Sequence, residues 1–402
     1  MTFEIPVDLA WVRQDRLRSV MRAAGIGAVL TADPINIVYG CGVRNMTVFG
    51  MMGPSRFLLL FADGPSILFE FAGSEHLATP MLDGHGADGL ATVDEVRLAP
   101  GITPNSGPGY AMSASSFADE IQALCRTHLG SAARLGVERV DFEFTDLLRA
   151  GGLILTNATE TFLEARRIKQ PTELVVMREA VRRVELGLGT MERSLKAGVS
   201  EVELWALLHH DLIASDGEYI STRLAQSGER TFPYFQEAST RMVDDGDLFC
   251  IDTDALGLGG YAVDLSRTFL CGEADPTPIQ RQLYERAYEQ LQHNGSLLEP
   301  GRSYEEVARK AWPVPVEHQP YGYYCILHGL GLCGEHPYVP MAVPNQPYLF
   351  PGELEPGMVV CCESYIGDER TRQGVKLEDQ FLITETGAER LTNFPFDSRL
   401  LA

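Results

Sequence analysis

The sequence predicts an α/β domain followed by an α+β domain, and three observations lead there. The chain has 402 residues, enough for two or three domains of about 150 residues, each with its own core. Its first part alternates short apolar stretches with helical patterns, as an α/β layer does. Near Phe162–Pro171 the composition turns basic, through Arg166, Arg167 and Lys169, and a long helical pattern begins after the proline. The boundary therefore separates a domain over 1–165 from one over 166–402.

Taken in order, Leu9 to Ala24 carries apolar residues at helical spacing and stops at Gly25, and Ala28 to Thr31 is a compact strand. Phe57–Phe61 and Ser66–Phe71 read as a hairpin closed by Ala62-Asp63-Gly64-Pro65, with Asp-Gly supplying a positive φ. The Pro- and Gly-rich segment Leu98–Met112 reads as a loop. In the second domain Thr172 is an expected N-cap, and Ser200 with Glu203 and Ser303 with Glu306 are expected capping boxes. Asp247–Asp252, Ser266–Cys271, Gly357–Ser364 and Val375–Thr384 read as strands, and Thr277–Leu298 as a helix.

Composition narrows the function. Fifty-five Asp and Glu against 33 Lys and Arg give a net charge of −22, which argues against nucleic acid as a partner, because phosphate contacts need clustered cations. No apolar run approaches the roughly 20 residues of a membrane helix, so no membrane role is expected. The N-terminus has neither a basic nor an apolar signal region. The eight cysteines are scattered without a C-x-x-C pair, so buried free thiols and a cytoplasmic location are expected.

The second domain places Asp252, Asp254, Asp264, Glu363 and Glu378 inside or beside apolar β patterns. Leu248-Phe249-Cys250-Ile251 runs into Asp252-Thr253-Asp254, where strand alternation would put both aspartates on one face. Val359-Val360-Cys361-Cys362 leads to Glu363, and Val375-Lys376-Leu377 to Glu378. Buried, unpaired carboxylates cost several kcal/mol each in desolvation and repel one another, so cations must neutralise them. Five carboxylates carry −5 and two divalent ions +4, leaving about −1, and His328 beside Gly329 and Gly331 can complete the set. Oxygen-rich ligation with one imidazole suits Fe, Mn, Zn or Co. The expected cofactor is a pair of divalent transition-metal ions that polarise a substrate oxygen.

These segments recur in an order that resembles the creatinase/prolidase/methionine aminopeptidase family. The resemblance rests on Asp252 with Gly260-Tyr261-Ala262-Val263-Asp264, on His328-Gly329, on Glu355-Pro356-Gly357-Met358 followed by Glu363, on Leu377-Glu378-Asp379 and on Arg167–Leu174 as the hinge. It implies a pita-bread fold for the C-terminal catalytic domain, a creatinase/prolidase-like N-terminal domain and a homodimer. Carried over residue by residue, it implies metal ligation by Asp252, Asp264, His328, Glu363 and Glu378.

Where peptidases of the family have Asp-x-Gly, this chain has Asp252-Thr253-Asp254; where they place a substrate-binding histidine, it has Phe235; and in place of His-Glu-x-Pro it has Gly334-Glu335-His336-Pro337. These departures resemble the dimethylsulfoniopropionate lyases of the DddP type, which share Thr222-Arg223-Leu224, Phe235-Gln236-Glu237, Gly331-Leu332-Cys333 and Lys376–Gln380. That resemblance implies Asp254 as a sixth ligand and Tyr323 in the pocket. It also implies a base directly after Gly-Leu-Cys, where this chain has Gly334, so Glu335 or His336 is the expected replacement. Phe49, Phe235 and Tyr324 are expected to bind a small-molecule substrate, their ring faces suiting an onium cation. The competing expectations are a Xaa-Pro dipeptidase or other small-amide hydrolase, with Glu363 moving the proton, and a non-catalytic binding protein.

Overall fold

Six strands form the sheet of the N-terminal unit in the computed structural model, which describes residues 3–82, 89–130 and 134–401. The described chain separates into two compact units, one over Glu4–Arg166 and one beginning at Arg167. In the first, the strand order is Glu95–Leu98, Ser66–Glu70, Phe57–Phe61, Ala28–Thr31, Arg134–Glu138, Ile154–Asn157. Ala28–Thr31 pairs in parallel with Arg134–Glu138 and antiparallel with Phe57–Phe61. Its apolar side packs Leu30, Phe57 and Phe69 against Phe117 and Phe144 of the flanking helices, which is the α/β layering predicted from alternation.

Local expectations need three corrections here. The hairpin Phe57–Phe61 to Ser66–Glu70 forms, but its turn closes through Phe61 N donating to Pro65 O at 3.1 Å, and Gly64 is not in the left-handed region. The loop expected over Leu98–Met112 ends early, because a 20-residue helix starts at Tyr110 and runs to Leu129. The helix after the boundary spans Pro171–Ser194 with Gln170 as its cap, in a box with Glu173, so Thr172 is its second residue. Proline at the first helical position is preorganised for that start.

The second unit is built on a five-stranded antiparallel sheet in the order Gly334–Pro340, Cys325–Leu330, Val359–Asp368, Gln373–Thr384, Gly387–Arg390. One face carries Cys362, Ile366, Val375 and Leu377 into a core with Leu283, Tyr284 and Leu291 of the helix Pro278–Gly295. Alternation turns the intervening residues to the other face. There they approach a three-stranded antiparallel sheet ordered Ser266–Leu270, Leu248–Asp252, Ala225–Ser227.

Candidate metal centre

The cross-strand register collects the candidate ligands. Glu363 pairs with Glu378, His328 with Cys361, and Cys361 with Gln380, and laterally paired residues share a face. His328 Nε2 lies 3.2 Å from Glu363 Oε1, 3.5 Å from Glu378 Oε1 and 3.6 Å from Asp264 Oδ2. A Cβ at Gly329 would sit 2.0 Å from the His336 carbonyl oxygen. Only glycine therefore fits where the neighbouring strand bulges beside the ligand.

The aspartates arrive differently from the expected alternation. The strand ends at Asp252, and Asp254 takes a left-handed φ of 37°. Thr253 Oγ1 donates to Val263 O and accepts from Leu265 N, both at 3.0 Å. That hydroxyl clamps the turn onto the segment bearing Asp264, and Thr222 Oγ1 donates to Asp254 Oδ2 at 2.6 Å. Ligand atoms of Asp252, Asp254 and Asp264 lie within 4.8 Å of one another, as do those of Asp264, His328, Cys361 and Glu378. Asp264 belongs to both groups.

Burial pushes the Asp254 carboxyl up to about 7, and Asp252 adds to the effect; burial and Glu378 push Asp264 well above the carboxylate range. Burial opposes the charge of His328 but is outweighed by Glu363 and Glu378, which hold its imidazole well above its usual value. Burial would also raise Glu363, yet the neighbouring cations Lys376 and His328 hold it below the usual range. Lys376 Nζ, itself fully buried, donates to Glu363 at 2.5 Å, to Glu378 at 2.9 Å and to Ser266 Oγ at 2.8 Å.

The cluster passes the test for a metal centre on its own polar atoms. Asp252 Oδ1 and Asp264 Oδ1 are buried and have no hydrogen-bond partner, an arrangement too costly to persist without a cation. Carboxylates with one imidazole form the donor set of a divalent transition ion. Lys376 supplies +1 against the five carboxylates, which leaves a negative charge for a cation to balance.

Around this cluster stand aromatic rings. Phe235 stacks on Tyr323 with centroids 5.6 Å apart and planes 24° apart, and Tyr323 stacks on Tyr324 at 5.2 Å and 19°. Tyr323 Oη donates to Glu363 Oε1 at 3.3 Å, and Tyr234 Oη donates to Asp252 Oδ2 at 2.5 Å. Phe235 and Tyr324 are both exposed. Phe49 belongs to the N-terminal unit, where its ring lies 6.2 Å from Phe71 and half its surface is exposed.

The two base candidates part company. The Glu335 carboxylate is buried, accepting from Lys169 Nζ at 2.8 Å and from Leu332 N at 3.1 Å. On the same strand the odd positions 335, 337 and 339 are buried and 334, 336 and 338 exposed. His336 therefore shares a face with Tyr338, the cross-strand partner of His328. Lys376, Cys361 and Tyr234 were not singled out from sequence. Lys376 and Cys361 each stand two residues before a ligand, so strand periodicity already put them on the ligand face.

The profile of Metallopeptidase family M24 matches residues 175–385. The chain is 35% identical over 401 residues to the dimethylsulfoniopropionate lyase DddP of Roseovarius nubinhibens, covering 97% of this chain and 86% of that one. It is 33% identical to the dimethylsulfoniopropionate lyase DddP of Roseobacter denitrificans, covering 98% and 88%. Among solved structures, the prolidase from Pyrococcus horikoshii OT3 superposes with a TM-score of 0.73 at 21% identity, covering 96% of this chain and 99% of that one; this likeness is one of fold.

Proposed function

We propose that this chain, which belongs to metallopeptidase family M24, is a metal-dependent lyase that cleaves the carbon–sulfur bond of a small carboxylate-bearing sulfonium zwitterion such as dimethylsulfoniopropionate. The observation that carries this reading is the stacked wall of Phe235, Tyr323 and Tyr324 beside the carboxylate cluster. A ring face attracts an onium cation by about 0.5–2 kcal/mol, and Phe235 stands where the family's peptidases carry a substrate-binding histidine. The similarity to the two lyases over nearly the whole chain supports the same assignment.

Two ions held by Asp252, Asp254, Asp264, His328, Glu363 and Glu378 would polarise the substrate carboxylate and acidify the adjacent C–H. His336, on the face of His328, takes that proton; the C–H electron pair becomes the C=C bond, the C–S bond breaks and neutral sulfide leaves. Tyr323 holds the carboxylate end through its hydroxyl, its ring lying 5.0 Å from Lys376 Nζ, while the exposed ring of Phe235 faces the sulfonium. Glu335 is assigned a holding role, since Lys169 Nζ donates to one of its oxygens and Leu332 N to the other. A homodimer and a cytoplasmic location go with this reading; among the described residues no helix is long and apolar enough to cross a membrane.

The test is metal-loaded protein given dimethylsulfoniopropionate and, separately, Xaa-Pro dipeptides. Sulfide release without proline release is expected; proline without sulfide would establish the dipeptidase reading instead. His336→Gln should lower kcat by about 10²–10⁴-fold with metal content unchanged, whereas Glu335→Gln should act mainly on stability.

A further inference from the structure

Cys361 stands among the ligands with nothing assigned to it. Its strand neighbours across the sheet are His328 on one side and Gln380 on the other, and Glu363 follows two residues later on the same face. Its sulfur lies within 4.8 Å of the ligand atoms of Asp264, His328 and Glu378. The adjoining Cys362 has the opposite orientation, in the core against the helix Pro278–Gly295. Among the described residues the Cys361 thiol makes a loose contact, 3.8 Å to the Asp264 carbonyl oxygen. Asp264 Oδ1, buried in the same group, has no hydrogen-bond partner at all.

From this juxtaposition we infer that Cys361 is a sulfur donor to the metal position shared by Asp264, His328 and Glu378. The inference rests on the metal centre of the proposed function and not on its lyase step. On binding, the thiol proton is displaced to solvent and the sulfur–metal bond replaces it, so the centre gains one negative charge. A set of thiolate, imidazole and carboxylates favours the softer borderline ions zinc, iron(II) and cobalt over manganese and magnesium. It is a more selective site than the all-oxygen set with one imidazole.

Cobalt(II) reads this directly, because a thiolate bound to cobalt gives an intense near-ultraviolet charge-transfer band that oxygen and imidazole ligands do not. Full-length protein loaded with cobalt, with the metal content measured, should show the band; Cys361→Ser should keep cobalt and lose it, and Cys362→Ala should keep both. Zinc affinity of Cys361→Ser should fall at least the roughly tenfold that even an outer-shell partner is worth, with manganese affinity nearly unchanged. X-ray absorption on zinc-loaded wild type needs no substitution, and a sulfur shell at about 2.3 Å is expected there. Bound cobalt without the band, a band that persists in Cys361→Ser, or a zinc spectrum with only light scatterers would overturn the sulfur donor and leave the metal centre standing. Protein that takes up no cobalt would overturn both together.

Discussion

Buried acids occur in both units, and they are satisfied in opposite ways. In the N-terminal unit, Glu70 ends a central strand with no exposed surface, and its oxygens accept from Arg56 at 2.7 and 2.9 Å, Asn45 at 3.0 Å and Phe71 N at 2.8 Å. In the second unit, Lys376 satisfies parts of Glu363 and Glu378, but Asp252 Oδ1 and Asp264 Oδ1 are left open. Adjacent residues differ in the charges around them: Asp379 Oδ1 is bonded by Arg267 Nη2 at 2.7 Å and by Thr392 at 2.9 Å, with Arg390 Nη1 3.5 Å from its Oδ2, while Glu378, one residue earlier, faces the cluster of acids. A buried carboxylate closed by the chain's own cations is architecture. One left open in company with others awaits an ion.

Breaking the open cluster should have the largest consequence. Asp264→Ala removes the residue common to both ligand groups, and turnover should fall by well over about a hundredfold, with metal content by elemental analysis dropping in parallel. Unchanged metal content would mean that the two kinds of buried acid are not distinct. Breaking the closed pair should act on folding instead. Arg56→Met leaves Glu70 charged and unpaired, and urea unfolding should show a loss of about 3–5 kcal/mol with metal content intact. Adding Glu70→Met should return much of it, because a matched apolar pair no longer strands a charge.

The third test uses pH. Asp254 is pushed from an ordinary 3.8 to about 7, and Asp264 also upward. The folded metal-free protein therefore keeps protons that the unfolded chain has already released. Its stability should be highest below about pH 4 with respect to Asp254 and decline as pH rises towards 7, with Asp264 acting in the same direction. Thermal unfolding of chelator-treated protein should show that decline, and metal-loaded protein should show far less of it, since the ions replace the protons. Equal slopes would indicate that no ion neutralises the cluster. The smallest effect belongs to the aromatic wall. Phe235→Ala should raise KM for a sulfonium substrate by about 2- to 30-fold, the range corresponding to 0.5–2 kcal/mol, leaving kcat and metal content nearly as they were.

Much of the catalytic unit was legible because strand acids in apolar sequence have few physical explanations. Asp252, Asp264, His328, Glu363 and Glu378 stood out for that reason, and the structure brings them together. Other features were not legible. Asp252 and Asp254 were expected to converge by alternation, whereas a left-handed residue and the Thr253 clamp do it. The helix Tyr110–Leu129 was obscured by the glycines and prolines preceding it. Glu335 and His336 were equivalent candidates as a string of letters, and only the neighbouring Lys169 and the strand's facing tell them apart.

By itself, the sequence determined the two-part division, the strands that run through the catalytic unit and the identity of its acids, because hydrophobic period and the cost of burying charge act along the chain. Tertiary structure alone decided which acids are closed by Arg56 or Arg267 and which are left open, where Lys376 spends its charge, and that Cys361 stands among the ligands. Those outcomes depend on distances between strands far apart in sequence, and electrostatic energies in a buried site vary with such distances more steeply than with any local pattern.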